Sequence, residues 1–452
     1  LGASGDTVAL ACGASQTGFG RTGTVDWITT PKVTGDSPVT GVSGSGYFLN
    51  TTAGTITLNL PAGTAGDIIS LMDYAATWQT NNVTVTPNGS EKIGADSASA
   101  ILDTQGQSVT FVYVDGTQGW LNTMDSTSDV RGKSYVTATG GNQPTAGGCI
   151  VCTDYKIHVF TGPGAFCVSC AGSPNGSNTV DYLVVAGGAG GGGASSGYDA
   201  GGGGGAGGFR ISNTTCMPGP QTSPLVAPNS PSPAAIPVTA TPYTITVGGG
   251  GTGGTASPAI RGTNGVDSTF STITSAGGGG GGSYSAAPLY PGSDGGSGGG
   301  GTGGGPAPGT AGGSGNTPVV SPPQGNDGGL GSGPTNFYGA GGGGASAVGA
   351  DGMPSGGAGG AGSYGVQTGF AVCEGTPGPV PGARYFSGGG GGGGAPSRPV
   401  TGSGAGGDGG GGGGRAGDPA GGCNTGGAGG GGDNSAGRNG GSGIVIIRYK
   451  FQ

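Results

Sequence analysis

Charge is what this chain has least of. Asp, Glu, Lys and Arg make up 8% of its 452 residues, against about 25% in an ordinary soluble domain. The 14 Lys and Arg are scattered, so the basic stripe a nucleic-acid partner requires is missing. The formal net charge of −8 favours solubility and says nothing more specific. Glu occurs twice, at Glu91 and Glu374, which would leave a paired-carboxylate glycosidase to rely on Asp. Several Asp sit in turn contexts such as Asp115-Gly116 and Asp351-Gly352. Histidine occurs once, at His158. A general base or a metal ligand is one reading of it, and a packed or exposed strand residue is the ordinary one. No apolar run approaches the ~20 residues of a membrane helix, so a membrane-embedded chain is not expected. The N-terminus shows no signal-peptide pattern, and the start at Leu1 suggests a processed or truncated product. Apolar residues amount to 32%, so a conventional core can occupy only part of the length.

What fills the space is glycine, 122 of 452 residues, far above the roughly 7% average. Disordered chains pair low hydrophobicity with high net charge, and the charge is lacking here. Runs such as Gly201–Gly205, Gly277–Gly282, Gly388–Gly394 and Gly409–Gly414 recur across residues 187–443. There is no G-X-Y period, which excludes collagen. Poly-glycine in isolation is a flexible linker. In the polyproline-II conformation, with three residues per turn and about 3.1 Å of rise, each run becomes a rod about 15–20 Å long. Amides of such a rod point outward in three directions, so rods can bond to neighbours in a lattice, aided by Cα–H···O contacts. A Cβ inside that lattice would collide with the next backbone. The inserts between runs become loops at the rod ends.

The flanking segments read as strands. Residues 1–124 form an all-β domain. Thr55–Leu60 and Asn82–Thr86 alternate as half-buried strands do, Asn88-Gly89 is a turn signal, and Val109–Val114 is the most β-prone segment. Residues 125–148 read as a Ser-, Thr-, Asp- and Gly-rich linker. Residues 149–186 read as a β-hairpin platform: Tyr155–Phe160 alternates, Thr161–Gly164 turns, Ala165–Cys170 returns, and Val180–Val185 is a buried-type strand. At the far end Ile444–Phe451 is equally apolar, so segment 444–452 is expected to close the module by pairing with 181–186. Tyr243–Val247 and Phe270–Thr274 read as short strands within the tract. The class is mainly β throughout.

Val25-Asp26-Trp27, Gly46–Thr52, Asn88–Ile93 and Phe111–Asp115 resemble fibre domains of marine tailed-phage tail fibres, of the cyanophage and pelagiphage type. Tyr155–His158, Val180–Gly187, Gly207–Arg210 and Gly443–Tyr449 resemble the glycine-rich distal module of those fibres. The resemblance implies a polyglycine-II sandwich whose loops contact a receptor on a bacterial host, either an outer-membrane protein or a polysaccharide. It also implies a homotrimeric shaft, other tail-fibre or baseplate subunits as partners, and a place on the virion. The chain departs from that pattern by placing four Cys in the hairpin where Thr, Val or Ser would be expected.

Those cysteines carry three readings. Cys149-x-x-Cys152 and Cys167-x-x-Cys170 have zinc-site spacing, but their intervening pairs suit extended strands better than metal knuckles. A hairpin turning at Thr161–Gly164 would set Cys149 opposite Cys170 and Cys152 opposite Cys167. Cross-strand Cβ atoms about 4.5–5.5 Å apart come close to disulfide geometry. Disulfides, zinc and free thiols stay open, with disulfides leading. Cys216, Cys373 and Cys423 fall in the tract as candidate staples, and eight cysteines suit an oxidising, extracellular setting. Gly132-Lys133-Ser134 mimics a P-loop end, but Thr127 stands where a Gly is required. The loop candidates for receptor contact are Tyr198, Tyr284, Tyr290, Phe337, Tyr338, Tyr364, Phe370, Tyr385 and Phe386, with Arg384 beside two of them. Aromatics and Arg are enriched at binding hot spots, whereas the bland alternative makes them plugs over the lattice faces. No cofactor and no enzymatic activity are expected. The expected function is a tail-fibre adhesin. The alternatives are a self-assembling extracellular filament subunit and, behind it, a polysaccharide depolymerase.

Overall fold

Short alternating segments separated by Gly and Pro can become strands but not helices, and the structure, a computed structural model, is mainly β. It describes residues 25–125, 134–142, 148–151, 154–173, 176–195, 200–212, 235–284, 291–304, 309–364, 374–394 and 402–452. The chain divides into two units. One comprises residues up to Ser134 together with Gly172–Ser177, and the other comprises Tyr135–Ala171 and Asn178–Gln452.

In the first unit the strands are β1 (Asp26–Val33), β2 (Val39–Thr40), β3 (Ser45–Asn50), β4 (Ile56–Asn59), β5 (Ile68–Asp73), β6 (Val83–Thr86), β7 (Ala100–Leu102), β8 (Ser108–Asp115) and β9 (Gly119–Asp125). The first six strands alternate between two sheets, ordered β1-β3-β5-β8-β9 and β2-β4-β6-β7. Pairing is parallel along β1-β3-β5 and along β2-β4-β6. The chain therefore winds as a coil, one strand per sheet in each turn, until antiparallel β7, β8 and β9 close it. Each strand alternates because one face meets the opposite sheet. Leu49, Ile56, Leu58, Leu71, Val85 and Phe111 fill the interior, with Trp78 and Trp120 fully buried among them. Gly89 supplies the positive φ expected of Asn88-Gly89, but the turn opens onto a longer connection to β7.

The second unit begins with β10 (Val136–Thr139), β11 (Cys149–Val151), β12 (Tyr155–Phe160), β13 (Gly164–Ala171), β14 (Thr179–Val185) and β15 (Phe209–Ile211). It continues with β16 (Ile236–Pro237), β17 (Pro242–Thr246), β18 (Ser268–Phe270), β19 (Ile273–Ser275), β20 (Ser363–Tyr364), β21 (Thr376–Pro377), β22 (Arg384–Phe386) and β23 (Ile444–Lys450). Two sheets, β10-β13-β17-β18-β19 and β11-β12-β23-β14-β15, enclose a core of Val136, Phe166, Val184, Phe270, Ile447 and Tyr449 among others. β23 lies antiparallel to β14, with Val185 opposite Ile444 and Asp181 opposite Arg448.

Two readings of the sequence are corrected here. The segment taken as a linker over 125–148 contains β10, because Val136 and Ala138 alternate inward against Ala171 and Val168. The segment taken as a hairpin is a sandwich corner. β12 is buried on both faces and pairs with β11 and β23. β13 is buried on one face only and pairs with β10 and β17. A strand apolar on both sides needs cover on both sides, so β12 takes the central sheet while its neighbour in sequence turns to the outer one.

Candidate functional site

The outer face of the central sheet rests on the glycine tract, where Ala345 and Phe386 pack against Val159, Leu183, Val185 and Ile446. From there the tract runs as rods. In rod 187–194, Gly187, Gly190 and Gly193 donate to Val266, Thr263 and Ile260. Gly188, Gly191 and Ala194 donate to Gly441, Arg438 and Ser435, and Ala189 and Gly192 donate to Gly205 and Gly202. Its carbonyls at 187 and 190 accept from Gly278 and Gly281, those at 188 and 191 from Gly251 and Gly254, and those at 189 and 192 from Gly429 and Gly432. All these bonds are 2.8–3.0 Å. The period of three is that of a polyproline-II rod. The rod thus has six neighbours: 260–266, 435–441 and 201–208 antiparallel, and 277–282, 250–254 and 426–432 parallel. This is the ordered polyglycine-II lattice, and the flexible-linker alternative does not describe these residues.

Glycine is required here by space. A methyl placed on Gly190, Gly191 or Gly192 would sit 1.9–2.0 Å from a carbonyl oxygen of another rod. Some positions in the lattice do hold a Cβ, since Ala189, Ala206, Ala340 and Ala428 are fully buried. At the lattice margin, where no further rod stands, Asp and Asn side chains take over as acceptors. Asp267 accepts from Gly277 N–H, Asn264 from Gly280, Asp294 from Ser314 and Asp351 from Leu330. These side chains, among them Asp351, which reads from sequence as a turn residue, satisfy amides that would otherwise lack a partner.

Rods run alternately up and down, so their connections fall into two sets. Rods 187–194, 201–208 and 435–443 join β14, β15 and β23 at one end, the sheet end. Gly303 N–H bonds to Ala200, Tyr338 to Ser332, and Gly352 to Leu330 at the opposite, far end. This sorting divides the predicted loop residues. Tyr284, Phe337 and Tyr338 belong to the far end. Tyr364, Arg384, Tyr385 and Phe386 belong to the sheet end, in the small sheet β20-β22-β21. Tyr198, Tyr290 and Phe370 lie outside the described residues.

At the far end, the 332–338 loop is closed on itself. Ser332 N–H donates to Tyr338 O (2.9 Å), Tyr338 N–H donates to Ser332 Oγ, and that hydroxyl donates back to Tyr338 O (3.1 Å). Phe337, just inside the closure, has φ +53°. A bulky side chain in the left-handed region is a conformational outlier, and such strain concentrates at ligand clamps and active sites. Its ring lies over Gly304 (φ +81°): a methyl there would be 2.7 Å from Phe337 Cδ1 and 3.4 Å from Tyr284 Cε2. Two aromatic rings are thereby gathered around one bare glycine. Both are half-buried. The adjoining 352–356 connection brings Met353, whose Sδ accepts from Asn336 Nδ2 at 3.0 Å and which is 59% exposed. Gly304 is a member of this group that periodicity and composition offered no way to pick out.

Other candidates are relocated by burial. Tyr338 (8% exposed) serves the loop closure, and Phe386 (1%) is a core residue beneath β14 and β23. Both are removed from the accessible loop set. Tyr385 is also buried. Burial raises the pKa of its hydroxyl, which accepts from Val380 N–H at 3.3 Å, and its ring is 5.2 Å from that of Tyr364. Arg384 alone of this group is exposed.

His158 is fully buried, with Nδ1 bonded to Gly140 O (2.7 Å) and Nε2 to Tyr449 Oη (3.0 Å). A carbonyl only accepts, so Nδ1 carries the proton and Nε2 accepts from the phenol. Burial lowers the His158 pKa despite the bond to Gly140, and burial pushes the Tyr449 hydroxyl up to about 12. The imidazole is thus a neutral core link between β12 and β23. Arg448 and Asp181, opposite one another, form a buried pair at 3.8 Å, with the guanidinium 3.8 Å above the Tyr155 ring.

The predicted hairpin disulfides do not form. Cys149 on β11 faces Ile157 on β12, whereas Cys167 and Cys170 face Thr139 and Thr137 in the other sheet. Their thiols and that of Cys423 are free. Cys12, Cys152, Cys216 and Cys373 lie outside the described residues. Among the described residues no three His, Cys, Asp or Glu gather as a metal would require, and no helix is long and apolar enough to cross a membrane.

The second unit is therefore a polyglycine-II module seated on a β-sandwich. A family model for a glycine-rich domain matches residues 161–450, and the chain belongs to that family. No curated protein is significantly similar to the chain.

Proposed function

We propose that this chain is a non-enzymatic adhesin of the phage tail-fibre type, which attaches a virion to a bacterial host through the far-end loops of the glycine lattice. The observation that carries the reading is the Phe337–Tyr284–Gly304 group. It is two aromatic rings, one on a strained backbone, held where rods turn, at the end away from the sandwich. A lattice with a hydrogen bond at nearly every amide holds such loops without side-chain packing. Aromatic faces suit sugar rings or apolar loops of outer-membrane proteins, so the receptor is either a surface polysaccharide or an outer-membrane protein. The first unit, a coil of parallel strands, suits a fibre shaft, with a homotrimer and tail-fibre or baseplate subunits as partners.

Adsorption of the purified protein to candidate host cells tests this. Phe337→Ala and Tyr284→Ala should each weaken adsorption about tenfold or more, as truncated aromatic anchors do, with melting unchanged. A protein that coats no cell and polymerises alone would instead be a filament subunit. That second reading draws on edge strand β1, which exposes Trp27, Ile28 and Val33 beside a cleft of about 320 Å³ lined by Lys32, Asp36 and Val42. Release of reducing ends from host polysaccharide would point to a depolymerase.

A further inference from the structure

We propose that Cys167 and Cys170 together form a two-thiolate site for a soft, low-coordinate cation such as Cu(I). Three residues apart on a regular strand, two side chains point to opposite faces. β13 is not regular. Val136 and Thr137 pair with Ala171 and Cys170, whereas Ala138 and Thr139 pair with Val168 and Cys167, so Ser169 is an extra residue, a β-bulge. Thr137 and Thr139, two apart on β10, share a face, and their partners Cys170 and Cys167 must share it too. Exposure agrees: both Thr and both Cys are on the solvent side, while Val136, Ala138, Phe166 and Val168 point into the core. The Ser169 hydroxyl donates to Thr137 O at 3.1 Å, anchoring the bulge that aligns the thiols.

The spacing decides what the pair can hold. Two residues of rise separate the side-chain columns by about 6.6–6.8 Å. A disulfide wants Cβ atoms about 3.5–4.5 Å apart, so direct oxidation would have to collapse the bulge. Two metal–sulfur bonds of about 2.3 Å let the sulfurs stand up to about 4.6 Å apart, which side chains leaning toward one another can meet. Zinc takes four ligands, and no third His, Cys, Asp or Glu joins the pair among the described residues. Thiolates favour soft ions such as Cu(I), and a two-coordinate ion needs no further ligand. Binding releases the two thiol protons to water and forms two metal–sulfur bonds, with no change of oxidation state.

The test uses the reduced full chain under anaerobic conditions. Cu(I) is added as its acetonitrile complex, the thiols are alkylated with iodoacetamide, and the modified peptides are mapped by mass. One equivalent should protect Cys167 and Cys170 together and leave Cys149 and Cys423 reactive. Cys167→Ser should abolish protection of Cys170 while leaving the melting temperature unchanged, because the side chain points to solvent. Protection of neither thiol, of one alone, or of Cys170 undiminished in Cys167→Ser would overturn the proposal. So would rapid formation of a Cys167–Cys170 disulfide with diamide, since it would refute the spacing on which the site rests.

Discussion

Gly391→Ala adds one methyl to a chain of 452 residues, and the lattice turns it into a large perturbation. The new Cβ would lie 2.0 Å from Gly404 O and 2.6 Å from its carbonyl carbon. Ordinary contact needs about 3.5 Å, so rods 387–394 and 402–408 would have to part by about 1.5 Å. Two backbone bonds join them, Gly404 N–H to Gly392 O (2.8 Å) and Gly407 N–H to Gly389 O (2.9 Å), beside a bond from Gly394 N–H to the Ser403 hydroxyl (3.2 Å). That displacement breaks both. Rod 387–394 cannot yield the other way, because the remaining amides and carbonyls of 388–393 are bonded to rods at 201–204, 339–342, 357–360, 409–412 and 428–431. Leaving buried backbone groups unpaired costs about 1–3 kcal/mol each. Partial relaxation leaves a total of about 3–6 kcal/mol, a large share of the 5–15 kcal/mol that holds a typical protein folded. At about 2–4 °C per kcal/mol for a unit of this size, calorimetric melting should fall by about 10–20 °C, or the lattice should fail to assemble. The paired control is Gly249→Ala, where nothing lies within 4 Å of the added methyl. It should be neutral or stabilising by up to about 1 kcal/mol through the unfolded chain. Equal melting of wild type and Gly391→Ala would refute the lattice account, since no other feature of that site makes a methyl costly.

Other expectations rest on separate features. Phe386→Ala should lower stability by about 3–5 kcal/mol, as a fully buried aromatic does, in denaturant titration; a change under 1 kcal/mol would return it to the loop candidates. Gly304→Ala should weaken host-cell adsorption by displacing Phe337 and straining a φ of +81°, with little change in melting if the effect stays in the loop. His158 has a folded pKa below its unfolded value, so the unfolded state binds more protons at low pH. Its contribution is present above about pH 6.5 and is lost as pH falls, by at most about 1.4 kcal/mol per unit; melting from pH 7 to 5 should show the slope, and His158→Gln should flatten it. Asp181→Ala should cost about 3–5 kcal/mol by stranding the buried Arg448, as read by chemical denaturation.

Much of the fold is legible in particular residues. Tyr182–Val185 and Ile444–Ile447 are apolar on successive positions, which allows only a strand covered on both faces, and each covers the other's edge. The glycine runs announce rods because no other residue lets backbones approach so closely. Of the loop candidates, Phe337 and Tyr284 stand together, while Tyr338 and Phe386 are buried. Their sequence contexts do not differ, since Phe386 precedes a glycine run much as Tyr338 does. What differs is the end of the rod each occupies, and for Phe386 that end meets the apolar sandwich. The hairpin over 155–170 failed as a reading for a related reason. A Gly-Pro-Gly turn is compatible with either a hairpin or a corner, and β23, almost three hundred residues away in sequence, supplies the competing edge.

Composition and periodicity by themselves determine that this protein is β-rich, that its long tract is either a lattice of glycine rods or a linker, and that the apolar strands at the two ends of that tract need partners. These follow from local physics: steric room at Cα, alternation along a strand, and the need to cover apolar edges. The tertiary structure alone decides which rods are neighbours, which connections share the far end, and that a single extra residue at Ser169 brings two thiols to one face. Those properties depend on register between distant segments. Register is set by the whole set of hydrogen bonds at once, and no single stretch of sequence contains it.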